Sequence, residues 1–96
     1  MQGSGAKPAA NDIVRVHYQG TLIDGSVFDS SYDSDPVEFP LGNVIPGWTE
    51  GVQLMNEGST YMLYIPPDLG YGPYSAGPIP PNSTLIFKIE LLSIIK

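Results

Sequence analysis

The sequence predicts an α+β domain, an antiparallel β-sheet of about five strands wrapped around one short α-helix. Three observations lead there. Most of the apolar content lies in segments that alternate apolar and polar side chains with period two, the pattern of half-buried strands. Only one segment, Trp48–Met55, repeats its apolar residues at helical spacing. A chain of 96 residues has material for one core, and its 11 glycines and 10 prolines supply the turns that antiparallel connections need.

Residues 1–11 are read as a flexible N-terminal segment, with the domain spanning 12–96. Met1–Ala10 has one lysine and no apolar run, which suits neither a signal peptide nor a membrane span. Ile13–Ile23 then reads as a strand with Val14, Val16 and Tyr18 on one face and Arg15 and His17 on the other. Asp24-Gly25 predicts a hairpin with a type I′ turn, in which both central residues need φ > 0. Val27-Phe28-Asp29-Ser30 is the returning strand, Ser30–Pro36 a polar loop, and Val37–Leu41 a short extended piece.

In the helical segment Trp48, Val52 and Met55 share one face, Glu50 near the start suits the positive end of the dipole, and Gly58 offers a stop. Tyr61, Leu63 and Ile65 alternate with Met62 and Tyr64 until Pro66-Pro67 removes two backbone donors and ends that strand. Asp68–Ser83 is a loop, yet it carries Tyr71, Tyr74 and Ile79, apolar content that a mere connection does not need. Thr84–Ile95 closes the chain as a long strand with Leu85, Phe87, Ile89 and Leu91 on one face, and its length predicts a central place in the sheet.

Charge and composition exclude several functions. The net charge is −6, and between Arg15 and Lys88 there is no Lys or Arg while eight Asp and Glu occur, so phosphate backbones and anionic lipid surfaces are repelled. We expect no nucleic-acid and no membrane partner. The absence of cysteine removes disulfides, thiolate metal sites and cysteine nucleophiles. His17 is the sole histidine, with no Gly-x-Ser-x-Gly elbow beside it, and is read as a solvent-facing or edge residue. Asp29, Asp33 and Asp35 alternate weakly like the start of a calcium loop, but no glycine and no preceding helix complete it. No metal and no cofactor are expected. Gly70-Tyr71-Gly72 is too short for a phosphate loop, and nothing in the spacing selects a carboxylate pair for glycoside hydrolysis. What remains is aromatic and aliphatic: Tyr18, Phe28, Phe39, Trp48, Tyr71 and Phe87, with Val44, Ile45 and Ile79, at element ends and in loops.

Taken in order, Val16-His17-Tyr18-Gln19-Gly20, Asp24-Gly25, Phe28-Asp29-Ser30-Ser31, Val44-Ile45-Pro46-Gly47-Trp48, Gly51, Tyr71-Gly72 and Ile79-Pro80-Pro81-Asn82-Ser83-Thr84-Leu85-Ile86-Phe87 resemble the signatures of the FK506-binding protein family. The resemblance runs from about Asp12 to Ile95, and Val44–Trp48 is most similar to bacterial members, including macrophage-infectivity-potentiator-like catalytic domains. It implies a peptidyl-prolyl cis-trans isomerase working without metal, cofactor or covalent intermediate. It also implies a hydrophobic cleft between the helix and the concave face of the sheet. Trp48 is then the cleft floor, and Tyr18, Phe28, Phe39, Val44, Ile45, Ile79 and Phe87 its walls. The Ile45 N–H and the Tyr71 hydroxyl are implied to hold ligand carbonyls, and Asp29 to be the acidic residue at the cleft, bonded by Tyr18. The Phe39–Val44 link and the Pro73–Pro78 loop are each shorter than in small eukaryotic forms, and both rim the cleft.

The partners so implied are proline-containing polypeptides and macrolides such as FK506 or rapamycin, with the chain a monomer. Localisation is cytoplasmic if the chain is complete, with periplasmic or secreted as the alternative for a domain of a longer protein. The rival function is a non-catalytic binding or chaperone module that uses the same cleft, and Tyr74, Pro78 and Ile79, expected to be exposed in their loop, would serve either purpose.

Overall fold

The computed structural model describes residues 5–32, 34–73, 77 and 79–95. Tyr74, Pro78 and Asp33, singled out above, lie outside the described residues. Strand β1 (Ile13–Thr21) turns into β2 (Val27–Ser30), and β3 (Val37–Pro40) leads through a 3-10 turn at Leu41–Asn43 to helix α1 (Pro46–Val52). Strand β4 (Thr60–Ile65), a second 3-10 turn at Pro67–Leu69 and β5 (Leu85–Ile95) complete the order.

All pairings are antiparallel, in the order β2-β1-β5-β4, with β3 also on β1. β3 pairs with the first half of β1, from Ile13↔Pro40 to Val16↔Val37, and β2 with the second half, from Gln19↔Ser30 to Thr21↔Val27. On its other side β1 runs against β5 from Ile13↔Ile95 to Thr21↔Ile86, with a bulge between Arg15 and Val16. β5 therefore sits between β1 and β4, the central place its length predicts.

Period-two alternation does the packing. Val14, Val16 and Tyr18 of β1, Leu85, Phe87, Ile89 and Leu91 of β5, and Ile65 of β4 turn inward and are buried. They meet Trp48, Val52 and Met55 from the helical segment, also buried. Each such side chain contributes about 1.5–3 kcal/mol by leaving water. Arg15 points to the outer face, where it pairs with Glu38 at 2.6 Å; both are about half exposed, so the pair adds little.

Several boundaries differ from the sequence reading, each for a local reason. β1 stops at Thr21 rather than Ile23, because Leu22 already begins the turn: its carbonyl accepts from the Gly25 N–H and its own N–H donates to Ser26, both at 2.9 Å. The turn is not type I′. Among the described residues Asn82 is the only non-glycine with positive φ, so Asp24 keeps a negative φ and Gly25 alone, at φ 88°, takes the left-handed position of a three-residue hairpin. Asp24 accepts instead from the Ser26 hydroxyl at 2.6 Å and N–H at 2.9 Å, and these bonds hold its carboxyl below the usual range.

Helix α1 starts two residues earlier than expected, because Pro46 at its first position has no N–H to waste and a φ already set for helix. That shift leaves Glu50 outside the first turn. The helix ends at Val52, after which Leu54 and Met55 donate to Gly51 and Val52 in tighter turns, and Gly58 (φ 88°) ends a later turn rather than the helix. Ile79 is not exposed but 4% accessible, since its loop folds back to bury that side chain in the core. The segment before β1 is bonded to the body in its described part. Gly5 and Ala6 exchange backbone hydrogen bonds with Glu57, Asn56 donates to the Gly5 carbonyl at 2.8 Å, and Pro8 is buried.

Candidate active site

Trp48 is the third residue of α1, and its indole, 4% exposed, is held edge-on by three rings from three strands. Tyr18 of β1, Phe39 of β3 and Phe87 of β5 each lie 5.3 Å from it, with interplanar angles of 80°, 80° and 87°. Phe28 of β2 meets Phe87 at 5.5 Å and 88°. These are edge-to-face contacts, in which the positive rim of one ring meets the negative face of the next.

The rings surround a cleft of about 340 Å³, the size of a small-ligand pocket. It is lined by Tyr18, Phe28, Asp29, Phe39, Val44, Ile45, Trp48, Tyr71 and Phe87, nine of the ten residues singled out from the sequence, and by Asn43. Ile79, expected as a wall, is not among the residues that line it and lies in the core. A second hollow of about 390 Å³ lies between α1 and β4, and none of those ten residues lines it.

Gly20 explains how Phe28 and Phe87 come together. It sits in β1 between Asp29 on one neighbouring strand and Phe87 on the other. A Cβ there would come within 2.5 Å of the Phe28 ring and 2.8 Å of the Phe87 ring, so the missing side chain is the space the two rings share.

The polar groups are few. The Tyr18 hydroxyl donates to Asp29 Oδ2 at 2.8 Å. Burial first, and then the adjoining Asp29 carboxylate, push the Tyr18 phenol up to about 12. Tyr71 is 41% exposed, and its hydroxyl has no hydrogen-bond partner among the described residues. The Ile45 carbonyl accepts from Trp48 and Thr49 at 3.0 and 3.2 Å as the helix begins. The Ile45 N–H precedes the first helical turn and has no partner among the described residues, as expected just ahead of a helix N-terminus.

His17 lies away from the cleft, on the outer face of the sheet. It is half-buried rather than solvent-facing, stacks on Tyr32 at 5.0 Å and places Nδ1 3.0 Å from the Ser31 hydroxyl. β1 is an inner strand, although His17 itself falls between the β3 register, which ends at Val16, and the β2 register, which begins at Gln19, and is paired only with Glu90 of β5. Ser31 and Asn43 were missed by the sequence reading. Ser31 is 3% exposed, accepts the Tyr18 N–H on its hydroxyl at 2.8 Å and donates its own N–H to the Tyr18 carbonyl at 2.9 Å, tying the end of β2 to the tyrosine of the cleft. A serine in a polar run carries no sign of burial, and Asn43 shows only its place one residue before Val44-Ile45.

In sequence and in overall fold the chain is similar to known proteins. The family model described as FKBP-type peptidyl-prolyl cis-trans isomerase matches residues 4–92. FkpA of Aeromonas hydrophila, named as an isomerase of that type, is 59% identical over 98% of this chain and 35% of its own length. Outer membrane protein MIP of Legionella longbeachae is 57% identical over 98% of this chain and 41% of its own. The chain thus spans less than half the length of these relatives. The crystal structure of FkpA from Escherichia coli superposes with a TM-score of 0.93 at 50% identity, covering 97% of this chain and 44% of that one. That of AtFKBP13 gives 0.93 at 37% identity, covering 98% and 87%. With five strands around one helix, a ring-lined cleft and this sequence identity, the chain belongs to the FKBP-type peptidyl-prolyl cis-trans isomerase family.

Proposed function

We propose that this domain accelerates rotation about X-Pro bonds of polypeptides in the Trp48 cleft, with Tyr18, Phe28, Asp29, Ile45, Trp48, Tyr71 and Phe87 acting on the bond and Phe39 and Val44 as further substrate walls. The observation that carries the reading is the pairing of a ring-built floor with two donors that have no partner among the described residues, the Ile45 N–H and the Tyr71 hydroxyl, on one cleft.

A peptide bond is held planar by resonance with a barrier of ~18–20 kcal/mol, and unaided X-Pro isomerisation takes tens to hundreds of seconds. Rotation breaks no covalent bond, so no nucleophile is required. In the twisted state the C–N double-bond character falls, and with it the charge separation between nitrogen and oxygen. A ring-lined, water-poor cleft disfavours the planar, more polar amide more than the twisted one, which is differential binding of the transition state. Trp48 seats the prolyl ring, and the Ile45 N–H and Tyr71 hydroxyl hold flanking carbonyls while the chain pivots between them. Each tenfold acceleration requires about 1.4 kcal/mol of such discrimination.

Asp29 keeps the Tyr18 hydroxyl occupied and directed along the wall, so the tyrosine presents a fixed ring rather than a free donor. Residues 12–96 form the isomerase domain in this reading, with 1–11 leading into it. The same floor and donors suit the macrolides FK506 and rapamycin, and the domain acts as a monomer. The name of the Legionella relative, an outer membrane protein, favours the periplasmic or secreted alternative over the cytoplasmic one. Among the described residues no helix is long and apolar enough to cross a membrane.

The test is direct. Exchange between cis and trans forms of a proline peptide, followed by NMR at substoichiometric protein, is expected to speed up, and FK506 is expected to suppress it. Peptide binding with no acceleration at any concentration would turn the domain into the holding module instead.

A further inference from the structure

Ser31 is 3% exposed and does not line the cleft, yet it grips a cleft residue by the backbone. It lies one residue past β2, where its N–H donates to the Tyr18 carbonyl at 2.9 Å and its Oγ accepts the Tyr18 N–H at 2.8 Å. Two residues earlier Asp29 accepts the Tyr18 hydroxyl at 2.8 Å. Backbone and phenol of one tyrosine are thus both tied to the end of β2, and that tyrosine packs edge-on against Trp48 at 5.3 Å. A shift of Ser31 against β1 therefore reaches the floor of the cleft.

The single proton of the Ser31 hydroxyl has two acceptors. His17 Nδ1 stands 3.0 Å from Oγ, and the Tyr18 carbonyl 3.4 Å. The shorter contact suits a neutral imidazole with its lone pair on Nδ1. An imidazolium carries N–H on both nitrogens and donates to Oγ, so the hydroxyl proton then turns to the Tyr18 carbonyl. An O–H···O bond is ordinarily about 2.7–2.8 Å long, so that switch draws Ser31 toward β1 by several tenths of an ångström. Histidine is the side chain that changes charge between pH 5 and 8, and His17 is the chain's only one. Of the charged and titratable groups around it, Glu90 stands opposite on β5, and Tyr32 stacks on its ring with Lys88 5.4 Å from the Tyr32 centroid. Arg15, two residues earlier on the same face of β1, is paired with Glu38 of β3.

We propose that Ser31 is a positioning residue of the cleft and that the charge of His17 sets it: when His17 takes a proton from solvent, the Ser31 hydroxyl turns from the imidazole to the Tyr18 carbonyl and turnover of X-Pro substrates falls. The inference rests on the isomerase reading of the cleft and adds a control acting from the opposite face of the sheet. Turnover falls because the ring packing described above belongs to the neutral form, with its long contact between Ser31 Oγ and the Tyr18 carbonyl.

The experiment measures kcat/KM for an uncharged proline peptide from pH 5 to 8 by NMR exchange, and follows the His17 ring and Trp48 indole N–H signals over the same range. The unmodified protein is expected to lose roughly two- to fivefold in kcat/KM toward pH 5, the scale of one neutral hydrogen bond, with the Trp48 signal moving at the His17 midpoint. In His17→Asn, whose side-chain amide reaches where Nδ1 stands but takes up no proton, the profile is flat. In Ser31→Ala the His17 ring still titrates, while kcat/KM and the Trp48 signal no longer follow it, a separation that lost stability alone does not produce. A flat profile in the unmodified protein overturns the proposal, and so does a pH dependence that survives in either variant. If no peptide is isomerised at any pH, the isomerase reading fails. A Trp48 signal that then follows His17 in the unmodified protein and not in Ser31→Ala still supports the Ser31 coupling, and one that ignores His17 refutes it.

Discussion

Gly20→Ala is the sharpest probe of the cleft, because it adds one methyl group at a buried position that touches no ligand donor. The new carbon would lie 2.5 and 2.8 Å from two atoms of the Phe28 ring and 2.8 Å from Phe87, all well inside van der Waals contact. Phe87 is 4% exposed and fixed among Tyr18, Phe28 and Trp48, whereas Phe28 is only half-buried. The strain is therefore relieved mainly by a swing of the Phe28 ring. Overpacking of this kind costs roughly 1–3 kcal/mol, and replacing glycine in a strand interior returns about 0.5–1 kcal/mol. The expected net loss is about 1 kcal/mol, a fall of roughly 4–8 °C in Tm for a domain of this size. If the swing costs the twisted amide as much as one decade of discrimination, kcat/KM for a proline peptide falls about tenfold, or about 1.4 kcal/mol. Thermal unfolding and an isomerisation assay on the same preparation measure both. A variant that loses stability as stated and keeps full kcat/KM would refute the reasoning, because the Phe28–Phe87 geometry would then be mere packing.

The other predictions concern single side chains. Tyr71→Ala, at a position 41% exposed, is expected to cost less than about 1 kcal/mol in urea unfolding while lowering kcat/KM at least tenfold; equal losses in both would make Tyr71 structural. Ligand binding is expected to change the emission of Trp48, the sole tryptophan, and Trp48→Leu to abolish that change; an unchanged emission on binding would place the ligand elsewhere. Tyr18, with its phenol raised to about 12, favours the protonated form in the folded state. Its contribution is complete below the ordinary tyrosine value near 10 and is lost as pH rises through the folded value, so stability declines between these limits. Urea midpoints from pH 9 upward should fall less steeply in Tyr18→Phe than in the unmodified protein, and parallel slopes would contradict the assignment.

Much of the fold is legible in the sequence because its signals are local. The inward set of β5, Leu85, Phe87, Ile89 and Leu91, follows from period two alone, and Trp48, Val52 and Met55 are buried as their helical spacing requires. Helix and turn boundaries are less legible. Proline at the first helical position moved the start of α1, and the Asp24–Ser26 bonds chose one hairpin turn over another that also accepts Asp-Gly. Ser31 and Ile79 were misjudged or missed for a common reason: polar or loop-borne residues are buried only when distant strands close over them.

The sequence by itself determined the α+β class, the strand and helix faces, and the exclusion of cysteine chemistry, since these depend on residue type and short-range spacing. Only the tertiary structure decided which residues share a surface. Tyr18, Phe28, Phe39, Trp48 and Phe87 come from five different elements and meet through pairings such as Gly20↔Phe87 that no local pattern records. The same closure left the Ile45 N–H, the Tyr71 hydroxyl and one oxygen of Asp29, all residues of one cleft, without hydrogen-bond partners among the described residues. A free valence is a property of everything around a group, which is why the fold had to be complete before it could be seen.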